Sequence, residues 1–360
     1  MIPAAKPLIG DDERAAVDKV LRSGMLAQGP EVAAFEEEFS KFVGGRHCVA
    51  MNSGTSALHL GFIAGGIKPG DEVIVPSFSF AATANSVVLA GGVPVFADID
   101  PKTFNIDPNH VEKLITKKTK AIMPVHLYGH IAPMNEINAI AEKHNLIVFE
   151  DAAQGHLASL DGKNSGEFSS VASFSFYPTK NMTSGEGGMC VTDSPDIARM
   201  LKLLRNQGQE IRYKNEVVGF NTRMTDIHAA IGRVQLAKLP GWTKKRQENA
   251  AFLSANLKNV VVPHVALGTT HSYHQYTILI PGKDANKRDE FIKRIGEKGV
   301  GSGVYYPTPI HRLPSFNLDI HLPVTEEIIT ECVSLPVYPT LTQDELNTIV
   351  SVVNEVAASL

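Results

Sequence analysis

The sequence contains little cysteine and no large excess of charge of one sign. Its three cysteines, Cys48, Cys190 and Cys332, are odd in number and far apart, which excludes a disulfide framework and a zinc-binding cysteine cluster. The net charge is −4, and no basic arm or run of like charges occurs. Such a chain has no broad electrostatic attraction for nucleic acid or for an anionic membrane. We therefore expect neither as a partner.

The sequence also lacks long apolar runs and the pattern of a secretion signal. Its first residues, MIPAAKPLIGDDERAAV, do not place a basic segment before an apolar one. Glycine, proline and charged residues interrupt every apolar stretch well before the length of a membrane span. With 360 residues, of which 43% are hydrophobic, the chain can form one large domain and a smaller one. These features predict a cytoplasmic globular protein.

Between about residue 50 and residue 193, short apolar runs alternate with helical patterns. The candidate strands are 72–76, 93–98, 121–126, 146–151, 171–176 and 188–193, and the candidate helices of this region are 55–65, 81–91, 109–115 and 134–144. Continuous β-branched runs that alternate with helices are typical of a mostly parallel sheet covered by helices. We therefore predict an α/β fold.

Helical patterns flank this region on both sides. Two helical stretches precede it, and each ends at glycine, a common helix stop. After residue 193 the pattern is helical to about residue 258, followed by a strand-like run over 274–280, a helix, a short GVYYP and helices from 325 onward. We predict a large domain over residues 1–245 and a smaller α+β domain over residues 246–360.

Polar and aromatic side chains follow several predicted strands at their carboxyl ends. Open α/β sheets bind ligands at this edge. Because parallel strands end at the same edge, we expect convergence of the residues Phe80, His126, Tyr128, His130, Asp151, Gln154, Ser175 and Lys180.

Two of the motifs have both a functional and an ordinary structural interpretation. NSGTSALHL (52–60) places Gly54, Thr55 and Ser56 before an apolar helical run, where exposed N–H groups could hold a phosphate or simply form a helix N-cap. Asp151 ends the apolar strand LIVFED, and a carboxylate there needs a cation or hydrogen bonds. An ion pair or a capped turn would satisfy it equally well.

A phosphate cradle, a buried acid, an aromatic residue and a sequestered lysine are together the parts that pyridoxal phosphate requires. A lysine such as Lys180 forms a Schiff base with the cofactor aldehyde, and an acid such as Asp151 keeps the pyridine nitrogen protonated. The two residues are 180 − 151 = 29 positions apart, which leaves room for one strand and its connections. They could therefore face each other across the cofactor ring.

Other kinds of catalytic site have weaker support. HLYGH (126–130) lacks the glutamate of a metalloprotease helix, and HSYH (271–274) has no nearby acidic or cysteine ligand, so we predict no metal site. GEGG (185–188) is neither GxGxxG nor a P-loop, and GxSxG is absent.

Ordered motifs along nearly the whole chain carry a family resemblance. They are GPEVAAFEEEFSKFVG (29–44), NSGTSAL (52–58), GDEVIVPSFSFAATANSV (70–87), VHLYG (125–129), EDAAQ (150–154), SFSFYPTKNMTSGEGGM (173–189), GFNTRMTDIHAAIGRVQL (219–236), YYPTPIH (305–311) and SLPVYPTLT (334–342). With these motifs the chain resembles the DegT/StrS family of sugar aminotransferases, which are fold-type-I pyridoxal-phosphate enzymes. The resemblance implies a large domain with a mostly parallel seven-stranded sheet.

The resemblance also implies roles around the cofactor ring. Lys180 matches the Schiff-base lysine, and Asp151 matches the partner of the pyridine nitrogen. Gln154 matches a residue near the ring hydroxyl, and Phe80 falls where the family has an aromatic side chain over the ring face.

At the phosphate, the resemblance implies contacts from two subunits. Thr55 and Ser175 match phosphate contacts, together with backbone amides from Gly54 to Ser56. Asn221 matches a residue that reaches the phosphate from the neighbouring subunit. A homodimer with shared active sites is therefore implied.

The implied reaction moves an amino group from L-glutamate to a keto group, at C3 or C4, of a nucleotide-diphosphate-linked sugar, for amino-sugar or polysaccharide biosynthesis. Tyr306 and His311 are candidates for sugar or diphosphate contacts, or else for domain packing. The alternatives are a pyridoxal-phosphate-dependent nucleotide-sugar dehydratase and a non-catalytic regulatory relative. Dehydrating relatives replace the lysine with histidine, so Lys180 disfavours the first alternative. The nucleotide, the sugar and the pathway stay open.

Overall fold

In the computed structural model, which describes residues 1–360, helices and strands alternate along most of the chain. The α-helices are α1 (Asp11–Ser23), α2 (Pro30–Ser40), α3 (Gly54–Ala64), α4 (Ala82–Leu89), α5 (Pro108–Leu114), α6 (Met134–His144), α7 (Pro195–Arg205), α8 (Asp226–Asn256), α9 (Ala285–Glu297), α10 (Pro323–Ile328) and α11 (Gln343–Ala358). None of these helices has the length and hydropathy needed to cross a membrane.

The strands are short, with at most five residues each. They are β1 (His47–Met51), β2 (Glu72–Pro76), β3 (Val93–Ala97), β4 (Thr119–Ile122), β5 (Ile147–Asp151), β6 (Ser159–Leu160), β7 (Lys163–Asn164), β8 (Val171–Ser175), β9 (Gly188–Thr192), β10 (Gln209–Ile211), β11 (Lys214–Asn215), β12 (Thr269–Thr270), β13 (Tyr276–Leu279) and β14 (Cys332–Leu335).

Seven strands form one sheet in the order β1-β9-β8-β5-β4-β2-β3. The five strands from β8 to β3 in this order are parallel, whereas β9 pairs antiparallel with both β8 and β1. The sheet confirms the predicted α/β fold and its mostly parallel, seven-stranded arrangement. The sequence patterns did not predict β1, which forms one edge.

Helices cover both faces of the sheet, and β8 shows how the strands meet them. Ala172 and Phe174 of β8 belong to a core cluster with α2 and α8, whereas Val171 belongs to another cluster with α3 and α4. Successive side chains of a strand point to opposite faces. Every residue of β8 is therefore buried, and Ser175 lies on the same face as Val171, toward α3.

A separate core cluster of 19 buried residues lies in the C-terminal part of the chain and includes Ile2. It joins the last turns of α8 to α9, α11 and the two-stranded sheet of β13 and β14. The predicted boundary between residues 245 and 246 falls inside α8, a continuous helix of 31 residues. The division into two domains at that position stays a prediction.

Two parts of the helical pattern after residue 193 were predicted wrongly. Residues 206–225 interrupt the helices and contain the hairpin of β10 and β11. The hairpin requires glycine at position 208, because Gly208 adopts φ +75 and a β-carbon there would lie 1.7 Å from the carbonyl oxygen of Val217. The strand β14 lies in the region predicted as helical from residue 325, since a short apolar run such as CVSL fits either structure.

Asp226, the first residue of α8, holds the start of α2 in place. Its carboxylate is buried and accepts hydrogen bonds from the backbone N–H groups of Gly29 (2.8 Å), Glu31 (3.3 Å) and Val32 (3.0 Å). A negative charge at a helix N-terminus also interacts favourably with the helix dipole. One side chain thus joins two helices that pack on the sheet.

We expect Asp226→Ala to lower the free energy of unfolding by about 3 kcal/mol, because it leaves one buried and two part-buried N–H groups without an acceptor. Urea unfolding at fixed protein concentration measures the change. Asp18→Ala is the matched control, since Asp18 pairs with Arg22 at an exposed position and should change stability by less than about 0.5 kcal/mol. Equal effects of the two substitutions would contradict this account.

Candidate active site

A cavity of about 570 Å³ lies where β2, β5 and β8 end. Eight of the predicted site residues line it, and they come from five separate loops or helix starts. These residues are Gly54, Thr55, Phe80, Asp151, Gln154, Ser175, Lys180 and Tyr306. The structure therefore brings together most of the side chains that the sequence patterns selected.

Lys180 follows β8 after a short turn and is half-buried in the cavity wall. Its backbone N–H donates to the carbonyl of Tyr177, which holds the turn closed. Burial lowers the pKa of the Lys180 amine from 10.5 to about 8, although the nearby Asp151 carboxylate opposes that shift. A larger fraction of this amine is therefore neutral, and so nucleophilic, near neutral pH than in an ordinary lysine.

Asp151 is the last residue of β5 and is buried. Its two carboxylate oxygens accept hydrogen bonds from the Thr83 hydroxyl (2.8 Å) and the Ala153 backbone N–H (3.1 Å). Burial nevertheless raises the pKa of this carboxyl above its usual value, because these hydrogen bonds and Lys180 only partly offset the loss of water. A cation or a strong donor placed in the cavity would favour its ionised form.

Helix α3 begins at one end of the cavity and presents free donors there. Ser53 caps the helix by accepting a hydrogen bond from the Ser56 backbone N–H (3.1 Å), whereas the N–H groups of Gly54 and Thr55 have no acceptor within the helix. A β-carbon on Gly54 would lie 2.6 Å from Cβ of Ser175, so only glycine allows this approach. The helix start and Ser175 therefore share one corner of the cavity.

The GEGG segment has its own packing reason. A β-carbon on Gly188, its last glycine, would lie 2.3 Å from the carbonyl oxygen of Ser53. The start of β9 can thus pack directly against the start of α3. Glu186, in the same segment, is exposed and lines the cavity.

Phe80, Tyr306 and Gln154 form a polar and aromatic wall of the cavity. The ring centroids of Phe80 and Tyr306 are 5.9 Å apart. Gln154 donates from Nε2 to the Tyr306 hydroxyl (3.1 Å) and accepts from the backbone N–H of Tyr128 (2.8 Å). Phe80 is 58% exposed, so its face is available to a planar ligand.

Six residues that the sequence led us to expect at this edge do not line the cavity. Three of them, His126, Tyr128 and His130, are buried beside it in the protein interior.

The other three are Ser56, Asn221 and His311. The Ser56 hydroxyl donates to Asn52 Oδ1 (2.7 Å), and Asn221 is exposed elsewhere on the surface. His311 is fully buried, with its Nδ1 2.6 Å from the Ser77 hydroxyl and its Nε2 3.2 Å from a Glu326 carboxylate oxygen. The surroundings of His311 are those of a packing residue, which was the structural alternative for it.

The sequence patterns missed several residues at the cavity. Thr83 reaches Asp151 from α4, and its hydroxyl also lies 2.8 Å from that of Ser79. His274 and Gln275 enter the wall from the segment before β13. Nothing in the local sequence connects His274 and Gln275 to Lys180, because more than 90 residues separate them.

The donors and acceptors of the cavity fit pyridoxal phosphate. The N–H groups at the start of α3 and the Ser175 hydroxyl suit a phosphate, and the buried Asp151 carboxylate suits a protonated pyridine nitrogen. Lys180 presents an amine to the same space, and Phe80 offers an aromatic face. No group of three or more His, Cys, Asp or Glu side chains in the structure could hold a metal ion.

Comparisons with known proteins place the chain in a family. Residues 7–354 match the DegT/DnrJ/EryC1/StrS aminotransferase family. The chain is 40% identical to the pleiotropic regulatory protein of Geobacillus stearothermophilus, over 94% of this chain and 92% of the relative. It is 39% identical to the GDP-perosamine synthase of Caulobacter vibrioides, over 99% of this chain and 98% of the relative.

Solved structures give the same result. The crystal structure of NtdA from Bacillus subtilis with bound cofactor PMP matches with a TM-score of 0.89 and 33% identity, over 97% of this chain and 82% of the other. The sequence match covers nearly the full length, and it includes every residue that lines the cavity. The chain belongs to the DegT/DnrJ/EryC1/StrS aminotransferase family.

Proposed function

We propose that this protein is a pyridoxal-phosphate-dependent aminotransferase that moves the amino group of L-glutamate to a keto group, at C3 or C4, of a sugar linked to a nucleoside diphosphate. The observation that carries the proposal is the presence of Lys180, Asp151 and the start of α3 around one cavity. Family membership supports the reaction type, and the GDP-perosamine synthase relative supports a nucleotide-linked sugar as acceptor.

Pyridoxal phosphate, when bound, supplies an aldehyde that takes up an amino group and a ring that accepts electrons from the adjacent carbon. In our proposal Gly54, Thr55 and Ser175 hold its phosphate, and Asp151 accepts a hydrogen bond from its ring nitrogen. Thr83 and the Ala153 N–H fix the orientation of that carboxylate. Gln154 would contact the ring hydroxyl, and Phe80 would pack against the face of the ring.

Lys180 is the proposed acid and base of the reaction. In the first half-reaction its Nζ takes the proton from the α carbon of glutamate, and in the second it delivers a proton to the sugar carbon that receives the nitrogen. A pKa of about 8 suits both directions, because neither protonation state is strongly favoured near neutral pH.

The acceptor sugar has the open side of the cavity available to it. Tyr306 lines this space beside Phe80, so a contact with the sugar or its diphosphate remains our proposal for Tyr306. His311 is buried against Ser77 and Glu326 and does not line the cavity, so packing is the role that we propose for it. The identity of the nucleotide and of the sugar is for a substrate panel to decide.

A regulatory function is the alternative of a different class, and one relative carries the name of a pleiotropic regulatory protein. The chain nevertheless keeps Lys180, Asp151 and the donors at α3 in one cavity. A buried acid beside an amine of lowered pKa is an arrangement typical of catalytic sites. Lys180 also disfavours the dehydratase alternative, because the resemblance implies that dehydrating relatives have a histidine at this position.

We further propose that the enzyme is a homodimer of the cytoplasm whose two sites are shared. Asn221 is exposed and outside the cavity of its own chain, as a residue that serves a second copy would be. The neighbouring segment carries exposed apolar side chains, Ile211, Tyr213 and Val218, which suit burial against a partner. All three cysteines are free thiols, in keeping with a reducing compartment.

The proposed function predicts that the pyridoxal-phosphate-loaded protein loses its visible absorbance with L-glutamate and releases 2-oxoglutarate. A panel of nucleotide-linked 3-keto and 4-keto sugars should then restore the absorbance with one of its members. Lys180→Ala should retain cofactor non-covalently and lower 2-oxoglutarate release by at least about a thousandfold. Lys163→Ala, at an exposed lysine, is the control. Full turnover by Lys180→Ala would refute the assignment of this lysine.

The lowered pKa of Lys180 predicts a pH dependence in the cofactor-free protein. Only the neutral amine reacts with an amine-modifying reagent, so modification of Lys180 should rise with pH and reach half its maximal rate at about pH 8. Asp151→Asn should move this midpoint to lower pH, because the variant lacks the carboxylate charge that stabilises the ammonium form. Peptide mass spectrometry across a pH series measures both midpoints, and identical midpoints would argue against the interaction.

Shared sites predict complementation between two inactive variants. Lys180→Ala and Asn221→Ala should each be impaired as pure dimers, but a mixed dimer contains one site with neither defect. Co-expression in equal amounts should therefore restore about a quarter of wild-type activity. Lys180→Ala mixed with Asp151→Asn is the control, since both residues line the cavity of the same chain and this mixture, unlike the first, leaves no intact site. Recovery of activity in the control mixture but not in the Asn221 mixture would contradict the shared site.

The control mixture should stay inactive because Lys180 and Asp151 of each site come from one subunit. Each mixed dimer then has one site that lacks Lys180 and one that lacks Asp151. Absence of recovery in the Asn221 mixture, with dimers present by sedimentation, would place Asn221 outside the partner's site.

A further inference from the structure

A second and much smaller cavity adjoins the active-site cavity at Lys180. Its volume is about 20 Å³, which is more than one water molecule needs and leaves room for one small polar group. Four residues line both cavities, namely Thr179, Lys180, His274 and Gln275. The cavity is also lined by the segment 4–7, in which Lys6 and Pro7 are exposed, and by Arg246 of α8.

Arg246 is buried there without an anionic partner. Its side chain belongs to a residue only 7% exposed, and no carboxylate lies within ion-pair distance of it. Nη1 donates to the carbonyl oxygen of Tyr273 (3.1 Å), while the buried Nε has no acceptor at all. Burial also lowers the pKa of Arg246 to about 10, with no acidic group to oppose the shift.

An unpaired buried guanidinium is costly for a folded protein. The edge formed by Nε and Nη2 is the one that binds the two oxygens of a carboxylate in parallel, and protein acceptors occupy neither nitrogen. An anionic ligand that enters this cavity would therefore meet a donor pair already in place.

The two cavities differ in the charged side chains that line them, and this difference also favours an anion in the small one. Beside the active-site cavity, Asp151 and Glu186 accompany Lys180, whereas the small cavity has Lys6, Lys180 and Arg246 and no carboxylate. The small cavity therefore favours an anionic group. The donors that suit the cofactor phosphate, at the start of α3 and on Ser175, do not line it, so the anion is a different one.

Among the reactants of the proposed aminotransferase, only two carry a further anionic group. The diphosphate of a nucleotide-linked sugar is too large for a cavity of about 20 Å³. A carboxylate of the amino-acid donor is smaller and belongs to the molecule whose α carbon Lys180 deprotonates. We infer that Arg246 binds a carboxylate of the amino-acid donor in this cavity, an inference that rests on the proposed function.

Separate half-reactions test the inference. Arg246→Gln should raise the glutamate concentration for half-maximal loss of cofactor absorbance by about 10- to 100-fold. The second half-reaction, with the aminated enzyme and a keto sugar, should keep its sugar dependence. Arg246→Lys should fall between the two, because it retains the charge and loses the paired donors. Lys245→Gln, with the same change of charge at the adjacent exposed position, is the control.

Two further measurements identify the carboxylate and separate the failures. If L-alanine as donor is weakened by Arg246→Gln as much as glutamate is, the α-carboxylate is bound; if only glutamate is weakened, the distal one is bound. Glutarate should raise the thermal unfolding temperature of cofactor-free wild type and not of Arg246→Gln. If wild type releases no 2-oxoglutarate, the proposed function fails, and glutarate protection alone decides the site.

Three results would overturn the inference. One is an unchanged glutamate dependence in an active Arg246→Gln enzyme. Another is equal impairment of both half-reactions together with a lower unfolding temperature, which would make Arg246 a structural residue. The third is equal protection of wild type and Arg246→Gln by glutarate.

Discussion

The candidate active site depends on a buried carboxylate and a half-buried amine at the same edge of a sheet. Burial shifts the pKa of Lys180 down and that of Asp151 up, so it disfavours the charged form of both groups. A fold tolerates this arrangement only where rigid elements enforce it. Here β5 and β8 are adjacent and parallel, with Asp151 opposite Ser173. Two residues further along β8, Ser175 lies against the start of α3.

This register explains how two ends of one ligand can be served by neighbouring strands. The acid ends β5, the phosphate donors lie where β8 meets α3, and the turn after β8 returns Lys180 to the same cavity. Gly54 and Gly188 permit the close contacts that bring α3, β8 and β9 together. The chemistry that we propose is therefore a consequence of strand order and of backbone spacing, and not of the lysine alone.

Much of this could be predicted from the sequence, and the exceptions have physical reasons. The buried strands and the pairing of Lys180 with Asp151 follow from local apolar runs and from the rule that parallel strands share an edge. Short segments such as β1 and β14 carry too few residues for their periodicity to distinguish strand from helix. The burial of His311 against Ser77 and the position of Arg246 behind Lys180 depend on contacts between distant parts of the chain. No local pattern encodes such contacts.

The central claim is that Lys180 is the residue that holds the cofactor covalently. Reduction of the pyridoxal-phosphate-loaded protein with borohydride, followed by proteolysis and mass spectrometry, tests it directly because reduction makes the linkage permanent. The account predicts a single modified peptide, with the added mass on Lys180. A modification at another lysine, or no modification in a protein that has bound the cofactor, would contradict it.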